Sequence, residues 1–200
     1  MPALETERLL VREFGVDDLS AVHQLLDVDL AETDWREPIR ALGARRRWLE
    51  WTVLSYEQLP DLRQPPYGDR AIVLKRTAEL VGACGLVPCL GPFDLIPSLR
   101  AATAAEHAVR EGSLPEVGLY WAVSPAHQRQ GYATEAARVL IAYAFNALNI
   151  QRVVALTDYS NIASTGVMRK LGMQLDRNPA PDPPWLQVVG VLERPPAPSG

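Results

Sequence analysis

The chain has 200 residues, 48% of them hydrophobic, enough for one domain of ordinary size with a proper core. Its 24 acidic and 20 basic side chains leave a formal net charge of −4 at pH 7, opposite to the basic balance of nucleic-acid binders, so no nucleic-acid partner is expected. No run of about 18 apolar residues occurs, and Met1-Pro2-Ala3-Leu4-Glu5 lacks the regions of a signal peptide; no membrane association is expected, and a cytoplasmic location is.

Arg8-Leu9-Leu10-Val11-Arg12 reads as a first strand. Asp17 is the expected N-cap of a helix with Leu19, Val22, Leu25 and Leu26 on one apolar face. The stretch 27–37 is acidic, carrying Asp27, Asp29, Glu32, Asp34 and Glu37. A second helix is expected from about Pro38 to about Glu57, with Ile39, Leu42, Leu49, Val53 and Tyr56 on its apolar face. Inside it, Arg45-Arg46-Arg47 point about 100° apart and read as a solvated face rather than a basic stripe.

Three prolines and a glycine make 58–69 a loop, and strands follow at about 70–75 and 79–87 around a turn at 76–78. Cys84 and Cys89 complete neither a disulfide framework nor a zinc site and read as reduced, buried thiols. Prolines break the rhythm over 88–115, which reads as an insertion without its own core and with a short helix near 98–110.

Glu116 to Val123 reads as a strand with Val117, Leu119, Trp121 and Val123 on one face and Glu116, Gly118, Tyr120 and Ala122 on the other. A helix is expected from Gly131 to about Leu148, with Ala133, Ala137, Leu140, Ile141, Ala144 and Leu148 on one stripe. Then come a strand at 152–157, a helix from Asn161 to Leu171 ending at Gly172, a last strand at 186–192 and a Pro-rich tail over 193–200 expected to be disordered. Strands and helices alternate with some hairpins, so the class is α/β or α+β with a mixed sheet.

Between strand and helix lies Gln128-Arg129-Gln130-Gly131-Tyr132-Ala133-Thr134. The first turn of a helix leaves backbone N–H groups unpaired at its positive end, so this segment is either a plain helix start or an anion cradle. Gly131 and Ala133 keep the rim free of bulk, Gln128, Arg129 and Gln130 add donors, and Thr134 adds a hydroxyl. Rival phosphate motifs are absent: there is no Gly-Lys pair and no Gly-x-Gly-x-x-Gly. His23, His107 and His127 show no metal-ligand spacing, so no metal is expected.

The segment Gln128 to Ala133 resembles the Gln/Arg-x-x-Gly-x-Gly/Ala pyrophosphate loop of the GNAT superfamily of acyl-CoA N-acyltransferases. Thr6-Glu7-Arg8-Leu9-Leu10-Val11-Arg12, Glu116-Val117-Gly118-Leu119-Tyr120-Trp121, Asn161-Ile162-Ala163-Ser164 and Lys170-Leu171-Gly172-Met173 are similar, in order, to pieces of its Rim-type branch, which acetylates ribosomal-protein N-termini. The resemblance implies a single acetyltransferase domain over 1–192, built on a mostly antiparallel mixed sheet with a central splayed parallel pair flanked by helices.

It further implies acetyl-CoA as co-substrate, its pantetheine arm beside backbone groups near Val123 and its pyrophosphate on amides from Arg129 to Thr134, with Tyr132 and Ala133 in that rim. Asn161 is matched to a pantetheine-contacting Asn and is also a natural N-cap. The reaction needs a base for the amine, and Glu116 is either that base, directly or through water, or an ordinary strand-end carboxylate. Many relatives place a Tyr seven residues after the Asn as proton donor; here that position is Met168, which leaves Ser164 as the Rim-type donor, with Tyr159 and Tyr120 as fallbacks. The acidic stretch 27–37 falls in the loop region that lines the family's acceptor groove, where it either draws in an amine, a peptide N-terminus or a small molecule, or is merely solvated. A homodimer follows from family habit alone. The rival reading is a non-catalytic acyl-CoA-binding or regulatory module.

Overall fold

The computed structural model describes residues 1–31, 39–100, 113–180 and 182–196. Eight strands form one mixed, mostly antiparallel sheet in the order β1-β2-β3-β4-β5-β6-β8-β7. They are β1 Leu4–Glu5, β2 Leu9–Arg12, β3 Gly68–Leu74, β4 Leu80–Gly91, β5 Leu114–Val123, β6 Arg152–Thr157, β7 Gln174–Arg177 and β8 Val188–Glu193. The helices are α1 Leu19–His23, α2 Leu42–Asp61, α3 Pro97–Arg100, α4 Tyr132–Asn146 and α5 Ile162–Lys170. The chain folds as two compact units: Met1–Val87 with Tyr120–Leu140, and Pro88–Leu119 with Ile141–Gly200.

In the first unit β1, β2, β3 and β4 run antiparallel in sequence order. One face of this sheet presents Ala71, Val73, Ala83 and Ala122, and Leu19, Val22, Leu25, Leu26, Leu30 and Leu49 close over it. The expected apolar stripe of the first helix is therefore core, but its start differs. A 3-10 turn at Val16–Asp18 precedes α1, and a π-helical turn at Gln24–Asp29 follows it. Asp17 is not the cap; Asp18 takes the corner instead, accepting from Gly15 N–H at 2.8 Å and from Arg12 at 2.7 and 2.8 Å.

The second helix begins four residues later than expected, because Ala41 is still extended at φ −62°, ψ 151°. Ile39 and Leu42 are accordingly exposed, Leu49 is core, and α2 continues through Pro60 to Asp61. Arg45 also departs from expectation. It is 2% exposed and grips the buried Asp27 with Nε and Nη2, both at 2.7 Å, while Arg46 and Arg47 face solvent. Of the acidic stretch, then, Asp27 is structural; Glu32, Asp34, Glu37 and Pro38 lie outside the described residues.

In the second unit β5 and β6 are parallel, with Gly118 opposite Val154, and β6, β8 and β7 pair antiparallel. A parallel pair needs a crossover, and α4 supplies it. The β8 strand alternates by its pleat: Val189 and Val191 join Val154, Phe93, Ile96 and Leu99 in one core, while Gly190 faces Met168 of α5. The region expected to be a coreless insertion from residue 88 thus begins as the end of β4 and turns three buried side chains into this core. Residues 101–112 lie outside the described residues. The strands β1, of two residues, and β7, of four, were not among those expected from the sequence.

Candidate functional site

The cradle segment belongs to the first unit. After Val123 a 3-10 turn at Pro125–His127 lifts the chain, and Gln128 is extended at φ −67°, ψ 165°. Arg129 and Gly131 then take positive φ, +61° and +85°, before α4 begins at Tyr132. A non-glycine residue in the left-handed region is uncommon, and such local strain collects where a backbone clamps a ligand. Gln128 Nε2 donates to Val123 O at 3.1 Å, tying the loop back to the strand it left. Glu135 N–H donates to Gly131 O at 3.0 Å as the helix opens. The amides of Tyr132, Ala133 and Thr134 belong to the turn whose N–H groups point out past the helix start. Gln128, Arg129, Gln130 and Gly131 are all exposed. Thr134 departs from expectation: at 7% exposure its side chain is core, so its backbone N–H, not its hydroxyl, belongs to the rim.

One further side chain, from the segment before β2, reaches this rim. Arg8 donates through Nη1 to Gln130 O at 3.0 Å and lies 4.6 Å over the Tyr132 ring. A Cβ on Gly131 would sit 3.4 Å from Arg8 Nη2. Arg8 is held by Glu135, through Nε at 2.7 Å and Nη2 at 2.6 Å, and the same carboxylate accepts the Thr6 hydroxyl at 2.5 Å and Arg8 N–H at 3.0 Å. Burial works against the charge of Glu135, but these donors outweigh it and hold its pKa below the usual carboxylate range. Thr6, Arg8 and Glu135 together clamp the turn between β1 and β2 to the first turn of α4.

The second unit holds Glu116, Asn161 and Ser164. Glu116, 6% exposed in its side chain, is gripped at both oxygens by Arg152, from Nε at 3.0 Å and from Nη2. The two residues are each two positions before the Gly118–Val154 pair, so the parallel register itself sets them side by side. Arg152 also reaches Glu193 at 3.3 Å, and its pKa is raised, chiefly by the bond to Glu116. Both Glu116 oxygens are therefore engaged by one guanidinium.

Asn161 caps α5, its Oδ1 accepting from Ser164 N–H at 2.9 Å. The cap uses the oxygen and leaves the amide Nδ2 outside that bond. Met168, at the position where many relatives carry Tyr, is 0% exposed; a Cβ on Gly190 would meet its sulfur at 3.0 Å. That position points into the core, so the thioether is packing. Tyr159, one of the fallback donors, gives its hydroxyl to Asn178 O at 3.0 Å. Both cysteines are free, Cys84 buried and Cys89 half-buried, and burial pushes both thiols up, with Glu116 adding to the rise at Cys89. Among the described residues no three His, Cys, Asp or Glu are grouped to hold a metal, and no helix is long and apolar enough to cross a membrane.

A family model described as "Acetyltransferase (GNAT) domain" matches residues 8–174. A Bacillus subtilis protein described as "Uncharacterized N-acetyltransferase YjdG" is 26% identical over 198 residues, 94% of this chain and 99% of its own. The ribosomal-protein-S5-alanine acetyltransferase of Vibrio fischeri shares the fold with a TM-score of 0.66 at 16% identity, over 97% of both chains. RimL, a ribosomal L7/L12 α-N-protein acetyltransferase solved with coenzyme A, does so with a TM-score of 0.64 at 15% identity, over 95% of this chain and 96% of its own.

Proposed function

The chain belongs to the GNAT acetyltransferase family and is an acyltransferase, and from that premise we propose that it moves acetyl from acetyl-CoA to a primary amine in a ternary complex. The family match spans residues 8–174 and so takes in sequence from both units, which supports a single acetyltransferase domain. The observation that carries the donor is the left-handed Arg129 and Gly131 turn opening a 15-residue helix, with Arg8 at its rim. A pyrophosphate there meets amides from Arg129 to Thr134 at the positive end of α4, with side-chain donors from Gln128, Arg129 and Gln130. Tyr132 supplies its N–H and a ring that holds Arg8 in place. The pantetheine arm runs along β5 near Val123, and Asn161 keeps Oδ1 for its helix while Nδ2 donates to the arm.

The nitrogen of the amine attacks the thioester carbonyl carbon, and the C–S bond breaks. An ammonium loses two protons in becoming an amide: one goes to a base and then solvent, the other to the departing thiolate. Ser164, half-buried on the first turn of α5, is the proposed donor to sulfur. Glu116 acts through water, since Arg152 covers both its oxygens. The Rim-like pieces of the sequence, from "TERLLVR" to the Asn161 helix, support a protein N-terminal amine or a small-molecule amine as acceptor. The test is thiol release from acetyl-CoA over a panel of amines that includes peptides beginning Ala, Ser and Met. Turnover on one class of amine is the expected result; tight CoA binding with turnover on none sinks the proposal.

A further inference from the structure

The residues that hold Arg8 do not use up its guanidinium, which carries five N–H donors in a rigid plane. Nε and Nη2 meet Glu135 at 2.7 and 2.6 Å, and Nη1 gives one N–H to Gln130 O at 3.0 Å. Among the described residues that leaves one N–H on Nη1 and one on Nη2. Their placement is as telling as their number. A Cβ on Gly131 would stand 3.4 Å from Nη2, and among the described residues beyond its chain neighbours no other heavy atom would lie within 4 Å of it. The space beside the glycine is therefore bounded by this one cationic group, and the Arg8 side chain is 43% exposed.

The same contacts fix the cation in one pose. Its plane lies 4.6 Å over the Tyr132 ring, and the Glu135 carboxylate is itself held by the Thr6 hydroxyl and Arg8 N–H. A long side chain loses rotamer freedom when it grips a ligand, and here that loss falls on folding instead. Charge argues the same way. Glu135 stands in the first turn of α4, where a carboxylate favours the helix but repels an anion held on the same turn. Arg8 cancels that charge. A partly exposed ion pair adds little stability, so stability alone does not account for the clamp.

We propose that Arg8 is a binding residue for the coenzyme, its two remaining N–H groups gripping an oxygen of the pyrophosphate seated on the turn from Arg129 to Thr134. This rests on the acetyl-CoA reading above and adds a contact from the β1–β2 turn, 122 residues before Gln130 in the chain. Arg8 takes part in no bond change. It meets charge that the pyrophosphate carries before, during and after transfer, so it strengthens binding of the ground and transition states alike.

The experiment is calorimetry of CoA and of 3′-dephospho-CoA at low and high salt, for wild type, Arg8→Gln, Arg8→Lys and Glu135→Gln, with melting temperatures beside it. Arg8→Gln is expected to weaken both ligands alike, by about 10- to 100-fold, as loss of a charge-assisted contact does. Its binding should also depend less on salt, because one charge has left the site. Arg8→Lys keeps the charge without the fork and is expected to fall between Arg8→Gln and wild type. Glu135→Gln removes a negative charge and leaves the guanidinium, so its CoA affinity is expected to match or exceed that of wild type while its melting temperature falls. A clamp that only holds the β1–β2 turn against α4 gives another pattern: equal losses of affinity in Arg8→Gln and Glu135→Gln, in step with their melting temperatures. That pattern overturns the assignment, as does an Arg8→Gln affinity within about threefold of wild type. A loss seen with CoA and absent with 3′-dephospho-CoA overturns it too, because the contact is then with the 3′-phosphate. Should Arg8→Gln not fold, Arg8→Lys must bind CoA more weakly than Glu135→Gln, and the reverse order overturns the assignment. In all these cases CoA binding by wild type leaves the acetyl-transfer reading standing. A wild type that binds neither ligand overturns both.

Discussion

At the scale of single residues, the cradle turns on Gly131. Its φ of +85° and the 3.4 Å that a Cβ would leave to Arg8 both disfavour any side chain there. Gly131→Ala is expected to cost about 1 kcal/mol of stability and to weaken CoA binding. Gly131→Glu, which adds a negative charge at the proposed pyrophosphate seat, is expected to abolish CoA binding in calorimetry. Unchanged affinity would move the cradle elsewhere. Glu116 makes a different prediction. Glu116→Gln leaves the Arg152 guanidinium without its carboxylate and should cost about 1–3 kcal/mol in a denaturant titration. Its kcat should also fall by more than its CoA affinity, as steady-state kinetics beside calorimetry would show. An unchanged kcat would leave Glu116 an ordinary strand-end carboxylate.

At the scale of elements, α5 separates two duties of one side chain. Asn161 Oδ1 caps the helix, and Nδ2 is proposed to hold the pantetheine arm. Asn161→Ala should therefore cost about 1 kcal/mol of stability and also weaken CoA. Asn161→Asp keeps an acceptor for the Ser164 N–H, so stability should hold while CoA affinity still falls. Equal CoA affinity in wild type and Asn161→Asp would reduce Asn161 to a cap. The α1–α2 pair gives a pH prediction. Burial opposes the charge of Asp27, but the bonds from Arg45 and the Arg40 N–H prevail and depress its pKa, and Asp18 is depressed likewise through Arg12 and Gly15. A carboxylate with a depressed folded pKa adds stability in full above its unfolded value of about 3.9, and loses it as pH falls from there through the lower folded value. Urea midpoints should thus be flat from neutrality to about pH 5 and drop below about pH 4, and Asp27→Asn should make that drop shallower. The same element shows a limit of spacing: helical periodicity marked Leu49 and Val53 as inward, yet Arg45, on the same helix, reads as a solvated arginine until Asp27 is seen beside it.

At the scale of the whole molecule, binding of CoA to the native state alone should raise stability by about 2.7 kcal/mol at a hundredfold excess over Kd. A thermal scan with and without CoA checks this. No shift would leave the turn before α4 a plain helix start. At this scale the sequence was legible where the physics is local. Alternation over β5, the apolar stripe of α4, the capping Asn161 and the glycine-led turn each depend on residues within about two turns of one another, and the elements stand where those patterns put them, to within a few residues. Charges followed another rule. Arg8 meets Glu135 across 127 residues, Glu116 meets Arg152 across 36, and Asp69 meets Tyr120 across 51. No spacing along the chain announces such pairs, because strand order and register choose them: two steps from Gly118 and Val154 bring a carboxylate and a guanidinium together whatever lies between. The sequence by itself determined the elements and the glycine-led turn that opens α4. Only the tertiary structure decided which ionisable groups engage one another, since burial and partnership are properties of neighbours in space.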